Sequence, residues 1–169
     1  MKKILLAAAL VATSGLASAQ GYAGALIGLS KLSARCTVSC DTSDTGFKVY
    51  GGYEVMPNLS VEVAYTDFGK FSNAAGYAQI KTNAVSVAAA YRIPFDASFS
   101  GVGRLGVANV KSKWTGGSGS KARLYGGVGL DYALSKDIKV VGGIDFTQAE
   151  VNGESGGIYL VGVGAQVGF

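Results

Sequence analysis

The 169-residue sequence has no histidine, two cysteines and two prolines. Past residue 12 it has no apolar run long enough for a membrane helix. Each absence excludes something. Without histidine there is no imidazole base for Ser-His hydrolysis and no imidazole ligand for a metal. Cys36 and Cys40, in RCTVSC, lack further ligand partners. In an exported chain they are expected to form a disulfide whose small ring contributes ~2 kcal/mol on the loop-entropy view. A spanning helix needs about 20 apolar residues, and the run from Ile4 to Ala12 is too short. Charge of one sign is scarce as well. Setting aside Lys2 and Lys3 leaves 13 basic against 11 acidic residues and no basic run, so no nucleic-acid partner is expected.

What is present begins with MKKILLAAALVATSGLASA. Two lysines, an apolar core and small residues ending Ala17-Ser18-Ala19 have the layout of a cleavable bacterial export signal over residues 1–19. Residues 20–169 then form one domain. The chain is 49% hydrophobic with 26 glycines and no helical span. That combination fits a large buried core or strands that turn apolar side chains to lipid.

The dominant period is two. Phe47, Val49, Tyr53 and Val55 alternate with Lys48, Tyr50, Gly52 and Glu54. Leu59, Val61, Val63 and Tyr65 alternate with Ser60, Glu62, Ala64 and Thr66. Tyr159, Val161, Val163, Ala165, Val167 and Phe169 alternate with Leu160, Gly162, Gly164, Gln166 and Gly168. Such alternation sends one set to each face of a strand. Eight segments can be drawn, at about 22–32, 46–55, 59–69, 83–93, 98–110, 121–133, 138–148 and 158–169, each close to the 9–11 residues of a tilted membrane strand. Tight gaps with Pro-Asn, Pro-Phe-Asp and Ser-Lys-Asp turn chemistry alternate with longer polar ones near 33–45, 70–82, 111–120 and 149–157. The pattern predicts an all-β fold, an eight-stranded antiparallel up-and-down transmembrane β-barrel. The greasy face points out to lipid, and a face of mostly Gly, Ala, Ser and Thr with isolated charges fills the narrow interior. Phe47, Phe68, Phe146 and Tyr159 at one end, and Tyr53, Tyr91, Phe99, Tyr132 and Phe169 at the other, are expected as interfacial girdles. A soluble lipocalin-like barrel would invert this arrangement, with an apolar lumen and a charged exterior.

Residues 101–106, GVGRLG, match the dinucleotide-binding fingerprint in letters only. They lie mid-strand with no helix following, so the phosphate-loop context is missing. The parity that points Leu105 and Val107 outward turns Arg104 inward, where it needs partners. Glu62 and Asp131 are the candidates. Lys48, Glu54, Arg92, Arg123, Lys139 and Asp145 are further members of an interior charge network, which either neutralises and packs the lumen or forms a gated ion path.

The ending IYLVGVGAQVGF resembles the C-terminal assembly signal of outer membrane barrels, carried by Phe169, Val167, Ala165, Val163 and Tyr159. GGYEVMPNLSVEVAYTDFGKF, GVGRLGV and GGVGLDYALSKDI resemble strands two, three, five and six of the outer membrane protein A transmembrane domain. The resemblance covers the mature chain and puts Glu62, Arg104 and Asp131 on that family's interior salt-bridge positions. Two departures matter. Ala90 stands where the family has an interior lysine, and no peptidoglycan-binding domain is expected beyond Phe169, so the compact outer membrane protein X and opacity type is the better functional guide. The resemblance implies a Gram-negative outer membrane location, lipid and lipopolysaccharide surroundings, and insertion by the assembly machinery. It further implies a structural or surface-interaction role, in envelope integrity, adhesion or contact with a host or phage ligand through the loops. A narrow channel for small solutes or ions is the alternative. No cofactor and no catalysis are expected, since no Ser, acid and base set clusters.

Overall fold

A computed structural model describes residues 21–33, 43–71, 80–114, 117–151 and 154–169. The export signal and the Cys36–Cys40 pairing lie outside the described residues. Eight strands follow in chain order: β1 (Gly21–Ser33), β2 (Ser43–Met56), β3 (Leu59–Phe71), β4 (Ile80–Pro94), β5 (Phe99–Trp114), β6 (Gly117–Ala133), β7 (Ile138–Val151) and β8 (Glu154–Gly168). Each pairs antiparallel with its sequence neighbour, and β1 pairs with β8 to close the barrel. Closure leaves no strand edge, which is what lets such a sheet sit in lipid. At the seam, Phe169 N donates to Gly21 O at 2.9 Å and Gly21 N to Phe169 O at 3.2 Å.

The turns at one end are short, and their chemistry is local. Pro57-Asn58 joins β2 to β3, with Asn58 at φ 65°, the left-handed region that asparagine tolerates. The Asn58 N–H donates to the Glu54 carboxylate at 3.1 Å. In the β4–β5 turn the Asp96 carboxylate accepts from Ser98 N and Phe99 N, both at 2.7 Å. In the β6–β7 turn the Ser135 hydroxyl accepts from Ile138 N at 3.1 Å.

The other end departs from the segment boundaries expected from composition. The polar stretches 111–120 and 149–157 are mostly strand, with ladder pairs up to Trp114↔Gly117 and Val151↔Glu154. Their Gly, Ser and Lys content suggests loop, but a paired neighbour overrides a weak local propensity. The β6–β7 ladder stops lower, at Tyr125↔Thr147. Above it the β5–β6 and β7–β8 hairpins continue as separate ribbons. On β3 the register shifts between Asp67 and Lys70, where Gly69 takes φ +83°. This bulge turns Lys70 outward and Phe71 inward, while Phe68 keeps the inward parity of Ser60, Glu62, Ala64 and Thr66.

The faces divide as the alternation requires. Leu124, Leu105 and Val163 point outward and are 75%, 70% and 65% exposed, an arrangement that excludes the lipocalin-like inversion. The C-terminal residues Tyr159, Val163, Ala165, Val167 and Phe169 all fall on this outer face. Tyr53, Tyr91, Phe99 and Tyr132 stand outward near the short turns, and Phe47 and Phe146 toward the other end. Phe68 does not join them: it is buried in the lumen with Phe71, Ile158 and Leu160.

A paired charge network in the barrel lumen

All nine charged residues expected inside lie on inward parity, because each sits an even number of residues from a lumen-facing neighbour on its strand. Glu62 on β3 and Arg104 on β5 make a bidentate pair. Arg104 Nε donates to Glu62 Oε2 at 2.6 Å and Nη2 to Oε1 at 3.3 Å. The Tyr22 hydroxyl donates to the same Oε1 at 2.8 Å. Glu62 is thus fully engaged, as a carboxylate this deeply buried must be.

Asp131 is not the partner of Arg104. It accepts instead from Arg92 Nε at 3.0 Å. Parity places both acids in the same lumen but does not say which arginine each meets, since that depends on strand tilt and stagger. Arg92, near the short turn of β4, meets Asp131 near the foot of β6. Arg104 is four residues above the level of Ser100, which pairs with Asp131.

A third group sits higher. Lys48, 0% exposed, donates from Nζ to both Asp145 oxygens at 2.9 and 3.0 Å and to the Tyr125 hydroxyl at 2.8 Å. The Tyr125 hydroxyl donates in turn to Asp145. All three ammonium protons have acceptors, which a fully buried lysine needs.

Two expected members stand apart. Glu54 holds the β2–β3 turn through Asn58 rather than reaching an arginine. Lys139 is half-buried at the foot of β7 and lies within 4 Å of no carboxylate among the described residues. Arg123 lies on β6 opposite Ala108, half-buried at the upper end of the lumen.

Composition missed the tyrosines. Tyr22, Tyr50 and Tyr125 are buried in the lumen, and each touches the charges. The Tyr50 hydroxyl donates to Gln166 Oε1 at 3.1 Å. The Lys48 ammonium and the Arg104 guanidinium lie 5.2 and 5.6 Å from the Tyr50 ring centroid, within cation–π range. Room for two of these rings comes from glycine. A Cβ at Gly24 would run into the Tyr50 ring, and one at Gly52 into the Tyr22 ring. The signal was present in the sequence, because Tyr50 shares parity with Lys48 and Glu54, Tyr125 with Arg123 and Asp131, and Tyr22 with Gly24 and Ser30 on the non-greasy face of β1.

Closed by ion pairs below and by Phe68, Phe71, Ile158 and Leu160 above, the lumen is a packed interior under an apolar outer belt. The sequence profile of the outer membrane protein beta-barrel domain matches residues 4–169. The chain belongs to this family. Its members are barrels of the Gram-negative outer membrane. No curated protein matches the chain in sequence. Among solved structures it is similar to Neisserial surface protein A, at 18% identity and a TM-score of 0.62 over 89% of this chain and 97% of that one. It is also similar to the N-terminal barrel of Pseudomonas aeruginosa OprF (14% identity, TM-score 0.59, 89% and 98% covered). A third is Ail, the attachment invasion locus protein of Yersinia pestis (19% identity, TM-score 0.53, 87% and 99% covered). At such identities the likeness is one of fold.

Mid-strand placement also answers what GVGRLG does. Residues 101–106 lie within β5, paired to β4 and β6 along their length, with no helix to present amides to a phosphate.

Proposed function

We propose that this family member is a non-catalytic surface protein of the outer membrane, a closed barrel that displays its long-connection end to the outside for contact with surfaces or ligands. The observation that carries this reading is the filled lumen. Lys48, Phe68, Ile158, Leu160 and Asp131 are each at most 2% exposed, so the interior is structural rather than an open passage. An eight-stranded barrel has an interior just wide enough for such side chains. Recognition then falls to the connections on the rigid scaffold: the segments joining β1 to β2 and β3 to β4, and the β5–β6 and β7–β8 ribbons. Support of a weaker kind comes from Ail, an attachment protein whose structure was solved with a heparin analogue.

Two measurements test this. Folded protein in planar bilayers should pass no steady current, and steady single-channel conductance that changes in Arg104→Ala would establish the narrow-channel alternative instead. Displayed on a non-adherent Gram-negative host, the protein should confer binding to a surface or soluble ligand. That binding should be lost when residues 34–42 and 72–79 are replaced by Gly-Ser linkers while heat-dependent gel mobility is kept.

A further inference from the structure

The outer face of β3, β4 and β5 changes character abruptly toward the long-connection end. Val85 on β4 and Val107 on β5 end the apolar stripe, Asn83 and Asn109 follow, and then come Lys81, Lys111 and Lys113, all exposed. After the β3 bulge Lys70 also faces out. The register makes these lysines neighbours: Lys70 pairs with Lys81, Lys81 pairs with Lys113, and Lys111 stands one same-face step below Lys113, opposite Asn83. Direct cross-strand partners have Cβ atoms about 5 Å apart, where like charges repel.

Carboxylates offset little of this. Asp67 reaches Lys81 at 3.2 Å. The Asp44 carboxylate is taken up by the backbone amides of Thr45 and Lys70, at 2.7 and 2.5 Å. The outward-parity positions at the same height on β6 and β7 are neutral, with Ser118, Ser120 and Gln148 outward, and the exposed Lys121 of β6 stands on the other parity, opposite Val110. The cluster of mutually adjacent outward lysines is therefore confined to one side of the barrel, since Lys31 on β1 stands alone between Ser43 and Tyr159. It also lies on the lipid side of the wall rather than over the lumen.

We propose that Lys70, Lys81, Lys111 and Lys113 hold the phosphate groups of the outer-leaflet glycolipid, lipopolysaccharide. This rests on the outer membrane reading above, with the long-connection end outward. Lys81 lies ten residues above the outward Tyr91 of the short-turn girdle on the same strand, about 33 Å along it and roughly 25 Å in height at the usual tilt. That is the height of the apolar band of such barrels, about 25 Å, so the lysines stand where the headgroups begin. Long flexible lysine stems reach down from there with the ammonium in the polar layer. A soluble polyanion would have no reason to prefer the lipid-facing side of one sheet segment over the mouth of the barrel.

The test uses the folded full chain in phosphatidylcholine vesicles carrying bisphosphoryl lipid A, or the same lipid with its phosphates removed, and measures lipid retained per barrel at low and raised salt. Wild type should retain the phosphorylated lipid selectively, and retention should fall with salt. Each lysine near an anionic surface is worth about fivefold. The fourfold Lys→Gln variant should therefore lose at least about tenfold, the fourfold Lys→Arg variant should keep retention, and Asp67→Asn should raise it. Lys31→Gln, which alters an outward lysine between Ser43 and Tyr159 on β1, should change little. Equal retention by the Gln variant would overturn the proposal, as would equal retention of dephosphorylated lipid or full displacement by soluble heparin. Heat-dependent gel mobility on the same samples separates this failure from that of the outer membrane reading: a shifted band without phosphate-dependent retention sinks the patch alone, whereas no shift sinks both.

Discussion

From the short-turn end through its middle the lumen is held by ion pairs, Glu62–Arg104, Arg92–Asp131 and Lys48–Asp145, and from the level of Asp145 toward the long-connection end by Phe68, Phe71, Ile158 and Leu160. The halves fill the same cylinder with opposite chemistry. The upper half needs only volume, and any well-packed apolar set would serve. The lower half needs particular partners, because each ion gives up its hydration and recovers it only from a correctly placed opposite charge. The ionic half therefore specifies which strand lies across from which, while the apolar half seals the top.

The largest expected effect comes from breaking one ionic partner. Arg104→Met leaves the Glu62 carboxylate buried beside an apolar chain and should lower the unfolding free energy in vesicles by about 3–5 kcal/mol. Adding Glu62→Leu to that variant should restore most of the loss. A double variant as weak as the single would show that the pair is not a closed unit. Leu160→Ala in the apolar half should cost about 2–5 kcal/mol, and no second substitution of opposite charge should rescue it.

Outside the wall, Val163→Arg should cost about 2–4 kcal/mol near the bilayer midplane and impair assembly, whereas Gln148→Arg, outward but closer to the rim, should cost about 0–1 kcal/mol. Urea titrations of the folded fraction on unboiled gels read both. The smallest effect is at a turn. Two backbone amides, of Ser98 first and Phe99 second, hold the exposed Asp96 carboxyl below its ordinary 3.8. The ionised form is favoured by folding, so its contribution is complete above the ordinary value and fades as pH falls through the lowered one. Asp96→Asn should flatten that part of the urea midpoint against pH as pH falls below the ordinary carboxyl value of 3.8. An unchanged acid slope would mean the amides do not favour the charge.

Much of this was legible beforehand. Alternation in residues 47–55, 59–66 and 158–169 marks strands because a period of two has no helical counterpart, and Pro57-Asn58 announces its turn. Parity alone set Lys48, Glu62, Arg104, Asp131 and Asp145 on one face. It also holds Tyr50, which alternates with Lys48 and Glu54, and Tyr22 and Tyr125, whose residue type alone suggests the interfaces. Phe68 shares the inward parity of Ser60, Glu62, Ala64 and Thr66, and its place near the strand end suggested a girdle only because aromatic residues there usually face the interface; the bulge at Asp67–Lys70 reverses the count only beyond it, at Lys70 and Phe71. The stretches 111–120 and 149–157 passed for loops because glycine, serine and lysine resemble connection composition even where a partner strand holds them.

By itself, then, the order of residues determined the strand count, the sidedness of each strand and the charges that had to share an interior, since all three follow from local alternation and the price of burying an ion. Only the closed barrel decided that Arg104 meets Glu62 while Arg92 meets Asp131, and that four lysines from β3, β4 and β5 stand together on one outer flank. Those pairings depend on tilt and stagger between strands distant in the chain, and no local pattern encodes them.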